Sequence, residues 1–96
     1  MPTLKELQLR RDDILHLAEK HHATHVRVFG SVARGESIST SDVDILVSFL
    51  PGASIFDEVG LWQGLTALLG ISVDLSADDT LKPSMRDAIL KDAIAL

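Results

Sequence analysis

Two short polar motifs, each joined to an apolar run, place the strongest constraint on how this chain folds. Gly30-Ser31 follows the largely apolar residues 26–29, and Asp42-Val43-Asp44, after ten intervening residues, continues into the apolar residues 45–47. Short β-prone runs bounded by turn residues are typical of strands. The pattern therefore predicts two strands, with a glycine turn after the first and paired carboxylates at the start of the second.

The paired carboxylates predict a metal site. Side chains two residues apart on a strand point to the same side of the sheet, so Asp42 and Asp44 should face one space while Val43 faces the other. Like charges held this close repel each other, and a divalent cation relieves the repulsion. Carboxylate oxygens are hard ligands that suit Mg²⁺ or Mn²⁺. The competing interpretation is a pair of solvated acids at the entrance of a strand.

A third carboxylate would complete a site for two metal ions. Asp74 lies near the end of the run Ile71–Leu75, which follows Gly70 and is typical of a third strand. If the strands are neighbours in a sheet, Asp74 lies beside the carboxylate pair. A strand aspartate alone is weak evidence, since aspartate also stabilises turns at strand ends.

The glycine turn predicts a phosphate site. Glycine lets the backbone approach a polyphosphate closely, and a helix that begins at Ser31 would point free N–H groups at the anion. Ser31 adds a hydroxyl donor, and an ordinary helix N-cap would also explain its presence. Arg34 lies about one turn further along, where its guanidinium would either reach phosphate or brace the acidic site through a salt bridge.

These motifs together resemble those of a known family. The segments Gly30–Glu36 and Ser41–Val47, with Asp74 as a third position, resemble the signature of the DNA polymerase β-type nucleotidyltransferase superfamily, and within it the minimal nucleotidyltransferases (MNT). The resemblance implies an α/β (α+β) fold with a small mixed β-sheet flanked by helices. It also implies transfer of a nucleoside monophosphate from a triphosphate, ATP, to a hydroxyl acceptor.

The chemistry expected at such a site is metal-assisted. Asp42 and Asp44 would hold one ion on the triphosphate and share a second with Asp74, so that the pKa of the attacking hydroxyl falls and Asp74 accepts its proton. Gly30 and Ser31 would hold the β- and γ-phosphates while pyrophosphate leaves. Positioning and charge neutralisation supply most of the rate, and no covalent nucleophile is required.

The same resemblance implies the acceptor. MNT proteins of this size resemble the antitoxin half of toxin–antitoxin pairs whose partner is a helical HEPN-type RNase. The implied reaction is AMP transfer to a tyrosine of that toxin, within a heteromeric complex. Two alternatives stay open. One is adenylylation of a small molecule such as an aminoglycoside, and the other is a non-catalytic module that neutralises its partner sterically.

Composition narrows the range of partners. The 96 residues predict a single domain, residues 1–96, and the net charge of -5 argues against a long nucleic acid as the main partner. The chain has no cysteine, its first residues lack a signal-peptide pattern, and no apolar run approaches the roughly 20 residues of a membrane helix. We therefore expect a cytoplasmic protein without membrane contact.

The remaining pattern predicts the order α-β-α-β-α-β-α. A first helix should run from a cap at Thr3 to about His22, a third from a cap at Ser54 to Gly70, and a last one should begin at Pro83. Helical spacing predicts a buried face on the third helix, formed by Ile55, Val59, Trp62, Leu65 and Leu69, and the last helix should carry Met85, Ile89, Ala93 and Ile94.

Other conspicuous residues are expected to have simpler roles. Trp62 and its apolar neighbours could form a groove for a partner, but burial in the core is the more common outcome of helical spacing. Asp78 and Asp79 are expected after the third strand as solvated loop residues or caps, and a metal role is the less favoured alternative. The four histidines give no persuasive set of metal ligands and are expected at the surface: His16, His21, His22 and His25.

Overall fold

The computed structural model describes residues 3–38 and 42–96, and in these ranges it contains five α-helices and four strands. Ser41, part of the predicted motif, lies outside the described residues. The helices are α1 (Leu4–Leu9), α2 (Arg11–Lys20), α3 (Gly30–Arg34), α4 (Ile55–Leu69) and α5 (Pro83–Asp92). The strands are β1 (Ala23–Phe29), β2 (Val43–Phe49), β3 (Val73–Ala77) and β4 (Ile94–Ala95), and a 3₁₀ turn at Asp78–Thr80 follows β3.

The four strands form one mixed sheet in the order β3-β2-β1-β4. β1 pairs antiparallel with β2 and with β4, whereas β2 and β3 run parallel. A parallel pair needs a long crossover connection, which α4 supplies. The predicted fold, a small mixed sheet flanked by helices, is confirmed, and the predicted order of elements departs from the structure only at the two ends of the chain.

The predicted first helix is two helices, α1 and α2, which meet at Arg10. The backbone there leaves the helical region, with φ -104° and ψ 16°, and no glycine or proline marks the point in the sequence. Arg10 donates from its guanidinium to the carbonyl of Leu68 in α4, at 2.9 Å. Leu7 in α1 and Ile14 in α2 both reach the same core. The prediction of one continuous helix was wrong because such contacts, remote in sequence, leave no local signal.

The last residues form a strand where the pattern predicted more helix. α5 ends at Asp92, and Ile94 and Ala95 then pair antiparallel with β1. Pairing along this edge satisfies backbone N–H and C=O groups of β1 that a further helical turn would leave unpaired. Placing Ala93 and Ile94 in the helix was therefore wrong.

The core lies between the sheet and a layer formed by α2 and α4. Alternating positions of the central strands are fully buried against helical residues: Val28, Val43, Ile45 and Val47 from the sheet, with Ile14, Leu61 and Leu65 from the helices. Burying one such side chain contributes about 1.5–3 kcal/mol. Since strand side chains alternate, the residues between these positions point to the opposite face of the sheet.

α4 begins and ends where the sequence predicted. Ser54 occupies the N-cap position, and its backbone amide donates to the Asp57 carboxylate at 3.0 Å. Gly70 ends the helix in the left-handed region, at φ 68°. In residues 3–38 and 42–96, neither α4 nor another helix is long and apolar enough to cross a membrane.

Several apolar positions predicted to be buried are exposed. In α4, Leu65 is buried, but the exposed fractions of Ile55, Val59 and Trp62 are 64%, 44% and 45%. These predictions were wrong because helical spacing shows which residues share a face, but it does not show whether another element covers that face.

Candidate active site

Two of the predicted metal-binding carboxylates lie side by side on neighbouring strands. In the parallel pairing of β2 with β3, Asp44 is the register partner of Asp74, so both side chains project from the same face. A hydrogen bond joins the two side chains, and the charge of Asp42, which immediately precedes β2, also acts on Asp44. The structure thus places Asp74 beside Asp44, with Asp42 close enough for its charge to act on Asp44.

The surroundings of Asp44 oppose its negative charge. Burial raises its pKa from 3.8 to about 6, helped by the charge of Asp74, the hydrogen bond between them and the charge of Asp42, while Arg34 acts in the opposite direction. A bound cation would relieve this repulsion, and carboxylate oxygens are ligands that suit Mg²⁺ or Mn²⁺. In the described ranges, no three acidic, histidine or cysteine side chains already converge as metal ligands. The acids therefore fit a cation by chemistry and charge, but binding would require side chains to move.

Gly30 is required by the packing of the acidic cluster. Its φ is 71°, in the left-handed region, and a Cβ atom added there would lie 2.2 Å from Oδ2 of Asp44. No side chain fits at this position unless Asp44 moves. The structure shows that this glycine makes room for Asp44, and its predicted contact with a polyphosphate stays a prediction.

The glycine turn continues directly into α3, a helix of five residues. The helix begins at Gly30 with Phe29 in the N-cap position, so Ser31 lies in the first turn and is not the N-cap. A difference of one residue is within the usual variation of helix ends. Because Phe29 is the register partner of Asp44, the start of α3, with Ser31, lies next to the acids.

Two carboxylates hold the guanidinium of Arg34. It donates to Oδ2 of Asp92 at 2.8 Å and to Oε2 of Glu36 at 3.3 Å, and these hydrogen bonds raise its pKa. Of the two roles considered for Arg34, the structure shows salt bridges, and contact with phosphate stays a prediction. Asp92 was not identified from the sequence, because its separation of 58 residues from Arg34 leaves no local signal.

A second polar group lies further along the same face of the sheet. Arg27 donates to the Ser48 hydroxyl at 3.1 Å and to the Asp78 carboxylate at 3.3 Å, and Ser48 donates to that carboxylate as well. The bond from Ser48 and the pairing with Arg27 lower the pKa of Asp78. The prediction of Asp78 as a solvated loop residue was wrong, since it is partly buried and ties the 3₁₀ turn to β1 and β2.

The surface next to Asp74 is an apolar groove. α4 and the free edge of β3 enclose about 310 Å³, and the lining residues are Ile55, Glu58, Val59, Trp62, Val73, Asp74 and Leu75. The indole N–H of Trp62 donates to the carbonyl of Val73 at 2.8 Å, which satisfies a backbone group on an unpaired strand edge. A larger depression of about 370 Å³ between α2 and β1 is lined by none of the predicted site residues.

The histidines lie apart from the acidic cluster. His16, His22 and His25 are exposed, as predicted, whereas His21 is half-buried against α4. His22 pairs with Asp57 at 3.2 Å. Within the part of the chain that the structure describes, no histidine joins a group that could hold a metal ion.

The fold and the acidic cluster together define a class of enzyme. A small mixed sheet that presents clustered acids beside a glycine turn is the architecture that the sequence motifs predicted. Residues 11–96 match the family model described as nucleotidyltransferase domain. The chain belongs to this nucleotidyltransferase family and is a nucleotidyltransferase of minimal size.

Similar proteins share this assignment. The chain is 40% identical over 81 residues to a candidate protein adenylyltransferase of Methanocaldococcus jannaschii, which covers 84% of this chain and 87% of that relative. It is 38% identical over 78 residues to the protein adenylyltransferase MntA of Thermococcus cleftensis. The match covers 81% of this chain and 79% of that relative.

Solved structures agree with the fold. A candidate minimal nucleotidyltransferase superposes with a TM-score of 0.89 at 43% identity, over 99% of this chain and 97% of the other. A chain of a toxin–antitoxin complex with AMP-PNP shares the fold, with a TM-score of 0.75 at 21% identity over 88% and 69% of the two chains. A chain of the complex between a tri-AMPylated HEPN toxin of Shewanella oneidensis and an MNT antitoxin also shares the fold. Its TM-score is 0.69 at 20% identity, over 92% of this chain and 69% of the other.

Proposed function

We propose that this chain is an antitoxin that uses Mg²⁺ to transfer AMP from ATP to a tyrosine hydroxyl of a HEPN-type RNase toxin, and thereby neutralises it. The observation that carries the proposal is the pairing of Asp44 with Asp74 in one register, with the pKa of Asp44 raised to about 6. Acids held together against their own repulsion are suited to binding cations. The names of the protein adenylyltransferase relative and of the toxin–antitoxin complexes support this choice of reaction and partner.

Each acid has its own task in the proposed mechanism. Asp42 and Asp44 would hold Mg²⁺ on the triphosphate, and Asp74 would help to hold a second ion and accept the proton of the tyrosine hydroxyl. Bound Mg²⁺ supplies charge neutralisation at the entering and leaving oxygens. The tyrosine oxygen forms a bond to the α-phosphorus, and the bond from that phosphorus to pyrophosphate breaks.

The turn beside the acids would hold the rest of the triphosphate. The backbone at Gly30 and the hydroxyl of Ser31 would bind the β- and γ-phosphates. Arg34 is occupied by Asp92 and Glu36, so a phosphate contact would require the guanidinium to exchange a carboxylate for a phosphate oxygen. A planar guanidinium binds either group in the same two-pronged manner.

The acceptor in this proposal is a separate molecule. The chain contains no tyrosine, so neither it nor a second copy can supply a tyrosine hydroxyl. The apolar groove includes Asp74, the acid proposed to receive the acceptor's proton.

Intact-mass analysis of the acceptor tests the proposal. A HEPN-type protein from the same organism is incubated with this chain, ATP and Mg²⁺, and we expect one or more AMP-sized additions on tyrosine that EDTA prevents. Asp42→Asn should abolish the additions while circular dichroism shows a folded domain. Asp12→Asn is the matched control, because Asp12 is a fully solvated acid, 98% exposed, and its loss should leave transfer unchanged.

The same experiment separates catalysis from simple covering of the toxin. A tight complex that silences the RNase without any added mass, and does so equally well with Asp42→Asn, would replace the proposal with steric neutralisation.

A further inference from the structure

An unexplained apolar surface lies on the exposed side of α4. We define the α4 surface as Ile55, Phe56, Val59 and Trp62, whose exposed fractions are 64%, 84%, 44% and 45%. Ile55, Val59 and Trp62 follow the spacing i, i+4 and i+7, so they form one ridge along the helix. Single exposed apolar residues are common, but a contiguous ridge of them marks an interaction site.

The α4 surface reaches the edge of β3 that carries Asp74. Ile55, Val59 and Trp62 line the groove of about 310 Å³ that Asp74 also lines. The hydrogen bond of 2.8 Å from Trp62 to Val73 holds the indole at the edge of β3. Because α4 packs on the core face of the sheet and the acids project from the opposite face, a molecule seated on this ridge would reach Asp74 around the edge of β3.

The charge of the groove indicates the chemistry of its occupant. Of the described residues that line it, the two that can carry charge are Glu58 and Asp74, and both are acidic. The whole chain has a net charge of -5. A complementary occupant has an apolar face flanked by lysine or arginine, because opposite charges at the rim favour association and like charges oppose it. A second copy of this chain would bring a net charge of -5 to this acidic groove, which opposes its association there.

We propose that the α4 surface docks an apolar helix face, flanked by basic residues, of the partner protein that carries the acceptor hydroxyl. The inference rests on the proposed function, since it names the surface by which that partner reaches Asp74. A ridge at i, i+4 and i+7 presents the side chains that pack into the grooves of another helix. The basic residues of the partner then lie against Glu58.

A pair of charge substitutions tests the docking surface. In Ile55→Glu/Val59→Glu, the KM for the HEPN-type acceptor should rise about tenfold or more while kcat at saturation stays within about twofold, since docking is lost and the acids are intact. Phe56→Glu should act in the same direction and leave the fold intact, because the side chain is 84% exposed. Leu9→Glu is the matched control in α1, at 79% exposure, and should leave the KM unchanged.

The charge of the partner is tested separately. Glu58→Lys should weaken complex formation in size-exclusion chromatography and by calorimetry, and added salt should weaken the wild-type complex. Binding of MgATP to each variant, followed by its effect on thermal unfolding, should match the wild type.

The outcomes distinguish this inference from the proposed function. Wild-type transfer together with an unchanged KM in both α4 variants would overturn the docking surface and leave the function standing. If the wild type modifies nothing, the proposed function fails, and complex formation then decides the inference: equal binding by wild type, the double variant and Phe56→Glu would reject it.

Discussion

The two faces of β2 differ in chemistry. Towards α2 and α4, Val43, Ile45 and Val47 are fully buried in the apolar core. On the other face, a buried leucine, Leu46, separates Asp44 of the acidic cluster from Ser48 of the polar network with Asp78. Residues that are neighbours along the chain are thus separated by the thickness of the sheet.

Two neighbouring residues of β2 make opposite contributions to the stability of the fold. Ile45 has no exposed surface, and its burial contributes about 1.5–3 kcal/mol. Asp44, one residue earlier, is held where burial and neighbouring acids raise its pKa to about 6, so at neutral pH its charge is disfavoured in the folded state. Substitution of Ile45 should therefore change stability, and substitution of Asp44 should change activity.

The largest expected effect is on activity. Asp44→Asn should lower the rate of AMP transfer by about 10³-fold or more, because the cluster loses its central anion. The free energy of unfolding should not fall. Initial rates of AMP incorporation, measured beside urea denaturation, check both statements. A variant that retains about a tenth of the wild-type rate would show that Asp44 has no direct part in the reaction.

A substitution on the core face of β2 should lower stability and leave activity unchanged. Ile45→Ala should lower the free energy of unfolding by about 2–5 kcal/mol, because it leaves a cavity in the core. Transfer measured well below the unfolding midpoint should stay near the wild-type rate. Urea denaturation gives the loss, and Leu9→Ala, at an exposed position, should cost less than about 0.5 kcal/mol. Equal losses in the two variants would contradict the division between faces.

A substitution at Gly30 should affect both stability and activity. Gly30→Ala should destabilise the fold by about 2 kcal/mol and also reduce transfer, because the new methyl group meets Oδ2 of Asp44 in addition to the strain of a positive φ. Gly35→Ala is a matched control, since its φ is 74° and a Cβ atom there meets nothing within 4 Å. It should cost only about 1 kcal/mol. If both variants lose the same stability and activity, Gly30 is not needed for the position of Asp44.

The smallest effect is the pH dependence of stability. Because folding raises the pKa of Asp44 from 3.8 to about 6, the associated stability is fully present below pH 3.8 and is lost as the pH rises through 6. A shift of this size corresponds to about 3 kcal/mol, which screening by water at this partly exposed site reduces to about 1 kcal/mol. In EDTA, the stability of Asp44→Asn relative to wild type should therefore be about 1 kcal/mol greater at pH 8 than at pH 4. If the difference in stability between Asp44→Asn and wild type is the same at both pH values, the electrostatic interpretation is contradicted.

Much of the candidate site could be predicted because its signals are local. The positions of Asp44 and Asp74 on strands follow from the apolar runs around them, and their adjacency follows from parallel pairing. The partners of Arg34 and Asp78 could not be predicted in the same way. Asp92 is 58 residues from Arg34, and Ser48 is 30 residues from Asp78, so no short-range pattern connects them.

The sequence by itself determined the strands β1, β2 and β3, the ends of α4 and the side of each strand on which the acids lie. These properties depend on backbone preferences and on the periodicity of side chains over a few residues. Only the tertiary structure decided that β4 completes the sheet, that Arg34 pairs with Asp92 and that the ridge of Ile55, Val59 and Trp62 stays uncovered. These outcomes depend on which distant segments meet, and the free energy of such contacts is not encoded in the local pattern of either segment.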